Sequence, residues 1–536
     1  MECKYCGTEL NVNSSVCPKC KKDNLKDDLK GLKIAALSLV CVVMLVLLVG
    51  LVNYGVTGKF LPDWLSGGNS TSSNAITIIT ADGEKKINPS DLDKYMKKTA
   101  VTMGKHKMTN AELQIYYWMI AYSVKDLDLT VSLQKQVYDE ATGETYHEYC
   151  IREGINAWRE MTLMVEAGEK AGYVLDADTQ AYLDGIEEEL ESYVLMYQYY
   201  GYSIQTVDQL IQSMYGPASN FENYYKYVAS TCYAGMYWSD LMEGFEVTDE
   251  QINNYFNENE ESLKTDYSVP ITKETGNLSD IRNIMISVIT KKDENGATVE
   301  DWEATQAKAQ EVYDKWMASD KTEAAFIALV KEYSGDETTN KKEGLYTDLL
   351  KGSLQELDIR HILIEPADDK EASWTEAEKE AQRILDLWLA NPTEEYFGEL
   401  ANEHSDDNSG KVTNGGIYTD VFVGQMVKEF EDWCFDDRQP GDYGIVKTQY
   451  GYHVMYFIRT DDAADNWVND ESRQTGDVGM VQGDDGYHIL FYVGAEPAWV
   501  RYCRYGAQSV MADEVLEQLM EANPHKVHEN ALAIAY

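Results

Sequence analysis

Cations are scarce in this chain of 536 residues: 46 Lys+Arg stand against 92 Asp+Glu, a formal net charge of −46. Such a field repels phosphate backbones and excludes nucleic-acid binding by the bulk of the molecule. Proline is scarce as well, at 10 residues, while aromatic residues make up 11%. That balance excludes a mostly disordered polymer. No phosphate-cradling glycine loop and no serine-histidine-acid arrangement stands out, so neither nucleotide dependence nor triad hydrolysis is expected. At about 100–200 residues per domain, the length implies about three or four domains.

Cysteine is sparse over most of the chain. Cys150, Cys232, Cys434 and Cys503 are scattered without a disulfide framework and read as small core residues. The N-terminus differs. Cys3-x-x-Cys6 and Cys17-Pro-Lys-Cys20 are two C-x-x-C knuckles, a spacing that lets four thiolates close a tetrahedron around zinc. Residues 1–24 therefore resemble a zinc ribbon, in which structural zinc supplies folding free energy to a segment too small for a core. All four ligand positions are taken, so a catalytic metal is not implied.

Long hydrophobic runs are absent except at 34–52, nineteen residues without a charge. That is close to the ~20 needed for a helix to cross a bilayer. Lys21, Lys22, Lys26, Lys30 and Lys33 precede it, which predicts a cytoplasmic N-terminus and an extracytoplasmic bulk. The expected location is the cell membrane, single-pass, with a cytoplasmic partner of the ribbon as one possibility. A cleaved signal peptide is the competing reading, against which stands the length of the basic region. Residues 53–76, rich in Gly, Ser and Asn toward their end, read as a tether.

From 77 to 278 the pattern becomes helical. Thr109-x-x-Glu112 and Thr248-x-x-Gln251 are capping boxes, and 155–172 and 178–200 carry apolar residues at three- and four-residue spacing, so an all-helical domain is expected. It is rich in Tyr, Met and Trp, including Tyr116, Tyr117, Trp118, Tyr197, Tyr199, Tyr200, Tyr224 and Tyr227. These residues serve either as core or as an adaptable surface for unfolded clients.

Two segments downstream repeat one another. Ile281-Arg282-Asn283-Ile284 matches Ile359-Arg360-His361-Ile362, and the helices that follow end Ala-Gln-x-x-x-Asp-x-Trp at 309–316 and 381–388. Gly344 to Asp348 parallels Gly416 to Asp420. The first copy then breaks near Gly352, and its missing half reappears after the second copy has finished: the 476–488 pattern repeats 441–453. A nested arrangement follows, with module one at 279–353 plus 464–495 and module two, 356–460, inserted into one of its loops. A tandem of complete and partial copies is the alternative.

In module two, Arg360-His361-Ile-Leu, Ser405-Asp406-Asp407, Gly415-Gly416, Gly424-Gln425-Met426-Val427 with Phe430-Glu431, and Gly451-Tyr452-His453 follow one another in order. Together they resemble a parvulin-type peptidyl-prolyl cis/trans isomerase, a small antiparallel sheet wrapped by helices. The resemblance implies that Met426 and Phe430 line a proline cup, that His361 and His453 form a coupled pair supported by Thr448, and that Asp407 stands near the reacting carbonyl. Met426 and Phe430, four apart on a predicted helix, would share a face. Module one departs from the pattern with Asn283 for His361, Gly483 for Thr448 and Leu354 for Met426, so it is expected to be inactive or very weak.

The order of domains is similar to extracytoplasmic foldases of the PrsA and SurA type, which implies that 498–536 packs back on the helical domain. The expected whole is a multidomain α+β protein: zinc ribbon, transmembrane helix, helical chaperone-like domain and two parvulin-like modules. Its expected activity is prolyl isomerisation, without a cofactor, and ATP-independent chaperoning of newly exported, unfolded polypeptides containing X-Pro bonds. A non-catalytic membrane-anchored holdase or peptide-binding scaffold is the alternative.

Overall fold

The computed structural model describes residues 75–536, apart from 126, 130, 268, 295, 341 and 408–413. The zinc ribbon with Cys3, Cys6, Cys17 and Cys20, the apolar run at 34–52 and nearly all of the tether lie outside the described residues. Among the described residues no helix is long and apolar enough to cross a membrane. The described residues form two compact units, one running up to Ile252 and completed by Arg504–Tyr536, the other Asn253–Cys503.

The first unit is built on helices Asn110–Ser123, Tyr146–Ala171, Ala177–Tyr199, Val207–Tyr215 and Phe221–Glu243. The capping boxes form as expected: the Glu112 N–H donates to Thr109 Oγ1 and the Thr109 N–H to Glu112 Oε2, and Thr248 and Gln251 exchange the same pair. Each satisfies backbone donors that the first helical turn leaves unpaired.

This unit is not all-helical. Ile76–Thr80 pairs with Gly83–Ile87 and with Ala533–Ala535, while Thr99–Met103 pairs with His106–Thr109 and with His525–Val527. The inner strands are short and rich in Ile, Val and Thr, which suit a pleated surface, but one of the two partners of each comes from the far end of the chain. No local periodicity could reveal that pairing. Buried Gln114 fastens it by donating from Nε2 to the Ala535 carbonyl at 2.6 Å and accepting the Ala535 N–H at 2.9 Å. Ala512 and Leu516, from the 498–536 segment, pack against Met164, Trp238 and Met242.

The aromatic residues divide between core and surface. Tyr116, Tyr117, Trp118, Tyr197, Tyr224 and Tyr227 are core, whereas Tyr199 and Tyr200 are 86% and 69% exposed. The latter pair lies where the Ala177–Tyr199 helix ends.

The second unit contains two four-stranded antiparallel sheets of the same order. In one, Ile417–Val421, Glu356–Ile364, Gly451–Asp461 and Tyr443–Thr448 lie side by side; in the other, Leu345–Leu349, Asn277–Ser287, Gly486–Pro497 and Val478–Gln482. Ile489 stands opposite Ile284, the pairing that nesting requires. Glu356 stands opposite Asp461, so the inserted module begins and ends on neighbouring strands. Adjacent ends are what allow a folded module to sit in a loop of another.

Each sheet is covered by two helices, Trp302–Ala318 with Glu323–Tyr333 in module one and Glu371–Leu389 with Glu394–His404 in module two. Trp316, Phe326 and Phe491 fill one core; Trp388, Phe397 and Val454 fill the other. The copies also agree in polar detail. Arg282 bonds Glu323 and the Glu343 carbonyl; Arg360 bonds Glu394 and the Gly415 carbonyl.

Candidate active site

Strands 356–364 and 451–461 lie side by side at the centre of the inserted sheet, and each contributes one histidine. The two rings stack with centroids 5.4 Å apart and Nδ1 atoms 3.2 Å apart. His361 Nε2 lies 3.2 Å from Asp407 Oδ2, and His453 Nε2 lies 2.9 Å from Thr448 Oγ1. Tyr418 donates its hydroxyl to Asp407 Oδ2 at 2.7 Å. One unbroken row results: Tyr418, Asp407, His361, His453, Thr448.

Donor and acceptor requirements orient this row. Asp407 as a carboxylate only accepts, so His361 carries its proton on Nε2 and presents Nδ1 as an acceptor. His453 must then donate from Nδ1, which leaves its Nε2 to accept the Thr448 hydroxyl proton. Thr448 Oγ1 in turn accepts the Tyr450 N–H. Every member is satisfied with both imidazoles neutral. Burial is the main cause that lowers His453 from its ordinary 6.5 to about 4, and His361 lowers it further.

Asp407 is held by its neighbours as well as by the histidine. Ser405 Oγ accepts the Leu363 and Asp407 N–H groups, and the Asp406 N–H donates to the Leu363 carbonyl. The loop is thereby fastened to the His361 strand. Gly416 secures the opposite side: its carbonyl accepts the His361 N–H at 2.9 Å, and with φ at +65° a Cβ there would stand 2.3 Å from the His361 carbonyl oxygen. Only glycine allows that approach.

Phe430, buried on the helix Lys428–Cys434, turns its ring edge-on to both histidines, with centroids 5.4 and 5.3 Å away. Met426 packs with it in the same apolar cluster. The reason expected for their proximity is corrected, however. Met426 precedes the helix, beyond the N-cap Val427, so the two do not share a helical face. A turn through Gly424, at φ +91°, brings the methionine round instead.

His361, His453, Thr448, Asp407, Phe430 and Met426 are thus gathered in one place, with apolar walls beside a carboxylate that is 14% exposed. Residues 361–459 match the family described as PPIC-type PPIASE domain, or rotamase. The segment is a parvulin-type peptidyl-prolyl isomerase domain.

Beyond this parvulin domain the likeness thins. The chain is 29% identical over 157 residues to a putative peptidyl-prolyl cis-trans isomerase of Helicobacter pylori (strain J99), a match covering 29% of this chain and 48% of that protein. It is 32% identical over 121 residues to the foldase protein PrsA of Halalkalibacterium halodurans, covering 23% and 32%. The chain thus spans about half the length, or less, of these curated relatives. Among solved structures, the foldase protein PrsA of Streptococcus pneumoniae aligns over 76% of this chain and 97% of its own, with a TM-score of 0.21 and 13% identity.

Tyr418 was missed in the sequence as a member of the parvulin site. Its signal was the repeat itself, since Tyr346 bonds Asp336 in module one at the same 2.7 Å. Module one has a helix at the corresponding place, Ala463–Val468, which follows the insertion. Trp467 lies under Arg473 and against Gly479 as Trp433 lies under Arg438 and against Gly444. Counting back three residues from each tryptophan, Ala464 stands where Phe430 does.

Proposed function

We propose that the protein is a membrane-anchored, extracytoplasmic prolyl isomerase and ATP-independent foldase. Residues 34–52 would span the membrane, and Cys3, Cys6, Cys17 and Cys20 would hold one structural zinc on the cytoplasmic side. The observation that carries the catalytic reading is the oriented row from Tyr418 to Thr448 standing beside Phe430 and Met426.

Rotation about an X-Pro amide must pass a barrier of about 18–20 kcal/mol, which comes from resonance between the nitrogen lone pair and the carbonyl. No bond to the substrate need form. A site lowers the barrier by binding the twisted amide more tightly than either planar form. Phe430 and Met426 grip the proline ring and exclude water, so that electrostatic effects within the cup are little screened. Twisting returns the lone pair to nitrogen and drains charge from the carbonyl oxygen. The Asp407 carboxylate, held in place by Tyr418 and His361, favours that less polar carbonyl. The histidine pair keeps the carboxylate aimed, and each ~1.4 kcal/mol of selective stabilisation is worth tenfold in rate.

The foldase part of the reading is supported by the exposed Leu195, Tyr199 and Tyr200 in and just after the helix Ala177–Tyr199, an apolar surface suited to unfolded chains. The test is a cis-Pro peptide assay with the full chain in detergent. The wild type should catalyse and the double variant Asp407→Ala, Met426→Ala should not. Equal turnover in the two would reject the site, and no turnover in a folded wild type would leave the holdase reading.

A further inference from the structure

A cavity of about 220 Å³ lies at the position in module one that corresponds to the parvulin domain's apolar cup, bordered also by Glu356 and Phe422 of the inserted module. Ala464 in place of a phenylalanine opens it, and Leu354 and Asn283 are among its walls. Its charge is one-sided. Glu356, Asp461 and Asp485 all border it, two of them facing each other where the inserted module begins and ends. Burial raises the Glu356 carboxyl above its usual range, and Asp420, Asp485 and Asp461 raise it further. The nearby cation Arg459 is already engaged by Asp358 and Asp484.

The second observation is an orphaned atom. Asn283 is 4% exposed, and its Oδ1 has no hydrogen-bond partner. The polar row explains why. Asp485 Oδ1 lies 2.8 Å from His488 Nε2, so the carboxylate fixes the imidazole proton on Nε2 and leaves Nδ1 to accept. Asn283 fills that need by donating from Nδ2 at 3.1 Å, which presents Oδ1 as an unpaired acceptor. In the parvulin domain the histidine order runs the opposite way and no acceptor is left over. A buried acceptor without a partner costs about 1–3 kcal/mol, which a ligand N–H would recover.

We propose that this cavity binds a basic side chain, arginine or lysine, of an unfolded polypeptide. The aliphatic stem would lie in the space left by Ala464, beside Leu354, and the cationic N–H groups would meet Asn283 Oδ1 and the carboxylates of Glu356, Asp461 and Asp485. Module one then holds a client by a residue other than proline. The inference rests on the reading of the chain as a binder of unfolded polypeptides, but it concerns a separate site.

The test uses the full chain in detergent and a fluorescein-labelled, proline-free peptide with one central arginine, compared with the same peptide carrying the neutral isostere citrulline. Fluorescence polarisation should show the arginine peptide bound about tenfold more tightly. Ala464→Phe, which fills the cavity and alters no charge, should remove that preference, as should Asn283→Leu, each with cis-Pro turnover and the unfolding midpoint retained. Equal affinity for the two peptides, or an arginine preference surviving both variants, overturns the proposal. Loss of cis-Pro turnover in the wild type alongside an intact arginine preference would reject the isomerase reading and leave this one standing.

Discussion

The Nδ1 atoms of His361 and His453 lie 3.2 Å apart, close enough to share one proton and too close to carry two. Burial and the neighbouring ring hold His453 at about 4 against its ordinary 6.5. Between these values the unfolded chain binds more protons than the folded one, so stability rises with pH through this window. It is fully present above 6.5 and is lost as pH falls toward 4. From pH 7.5 to 5 the loss from this residue is about 2 kcal/mol. Because burial lowers His147 to about 4 as well, the His453 part is measured as the difference in this loss between wild type and His453→Gln in denaturant unfolding, and the His453 imidazole should stay neutral at pH 5.5 by nitrogen NMR. Titration of that ring near 6.5 would contradict the assigned row.

Asp407 accepts from both His361 and Tyr418. Asp407→Asn keeps the shape and removes the charge, and is expected to lower kcat/KM by about 10- to 100-fold, in line with a charged hydrogen-bonding group worth ~1.5–3 kcal/mol. Tyr418→Phe should cost a few-fold, about 1 kcal/mol, with a nearly unchanged unfolding midpoint. Full activity in Asp407→Asn would remove the carboxylate from the mechanism.

Phe430 is buried and Met426 only partly so. Phe430→Ala should destabilise the inserted module by about 3–5 kcal/mol, so that activity falls together with folding. Met426→Ala, nearer the surface, should cost about 1 kcal/mol of stability while raising KM for proline peptides. Calorimetry beside steady-state kinetics separates the two effects, and a Met426→Ala enzyme with unaltered kinetics would place the methionine outside the cup.

Where the chain passes between modules, buried Asp465 accepts the Gly352 and Leu354 N–H groups at 2.8 and 3.3 Å. It ties the point where module one breaks off to the helix where it resumes. Asp465→Ala leaves those donors unpaired and should cost about 1–3 kcal/mol. Prolyl isomerisation should persist, since Asp465 lies outside the inserted module. Urea unfolding followed by tryptophan fluorescence tests this, and an unchanged midpoint would mean that the junction is held by other contacts.

For the N-terminal knuckles the expectation is one zinc per chain by elemental analysis, and none after Cys3→Ser with Cys17→Ser. Prolyl isomerase turnover should survive a strong chelator, since the proposed chemistry needs no metal. Abolition of turnover by the chelator would contradict that.

Much of the site could be read in the sequence because parvulin-like residues recur in a fixed order and each sits beside its own glycine or serine marker, such as Gly416 behind His361 and Ser405 before Asp407. Less could be read where the signal depended on distance. Met426 kept its expected neighbour for another reason, a turn rather than a helical face. Tyr418 was visible as a repeated letter but gained significance only when its hydroxyl was found on Asp407. The strands of the first unit escaped a helical reading because Ala533–Ala535 and His525–Val527, which complete its sheets, lie at the opposite end of the chain.

By itself the sequence determined the repeat, its interruption near Gly352 and the parvulin-like motif, since these are local patterns of side-chain size and periodicity. Tertiary structure alone decided which way the two histidine rows run. Proton positions follow from which carboxylate reaches which ring nitrogen: Asp407 at His361 in one module, Asp485 at His488 in the other. That choice leaves one row complete and the other with an acceptor to spare.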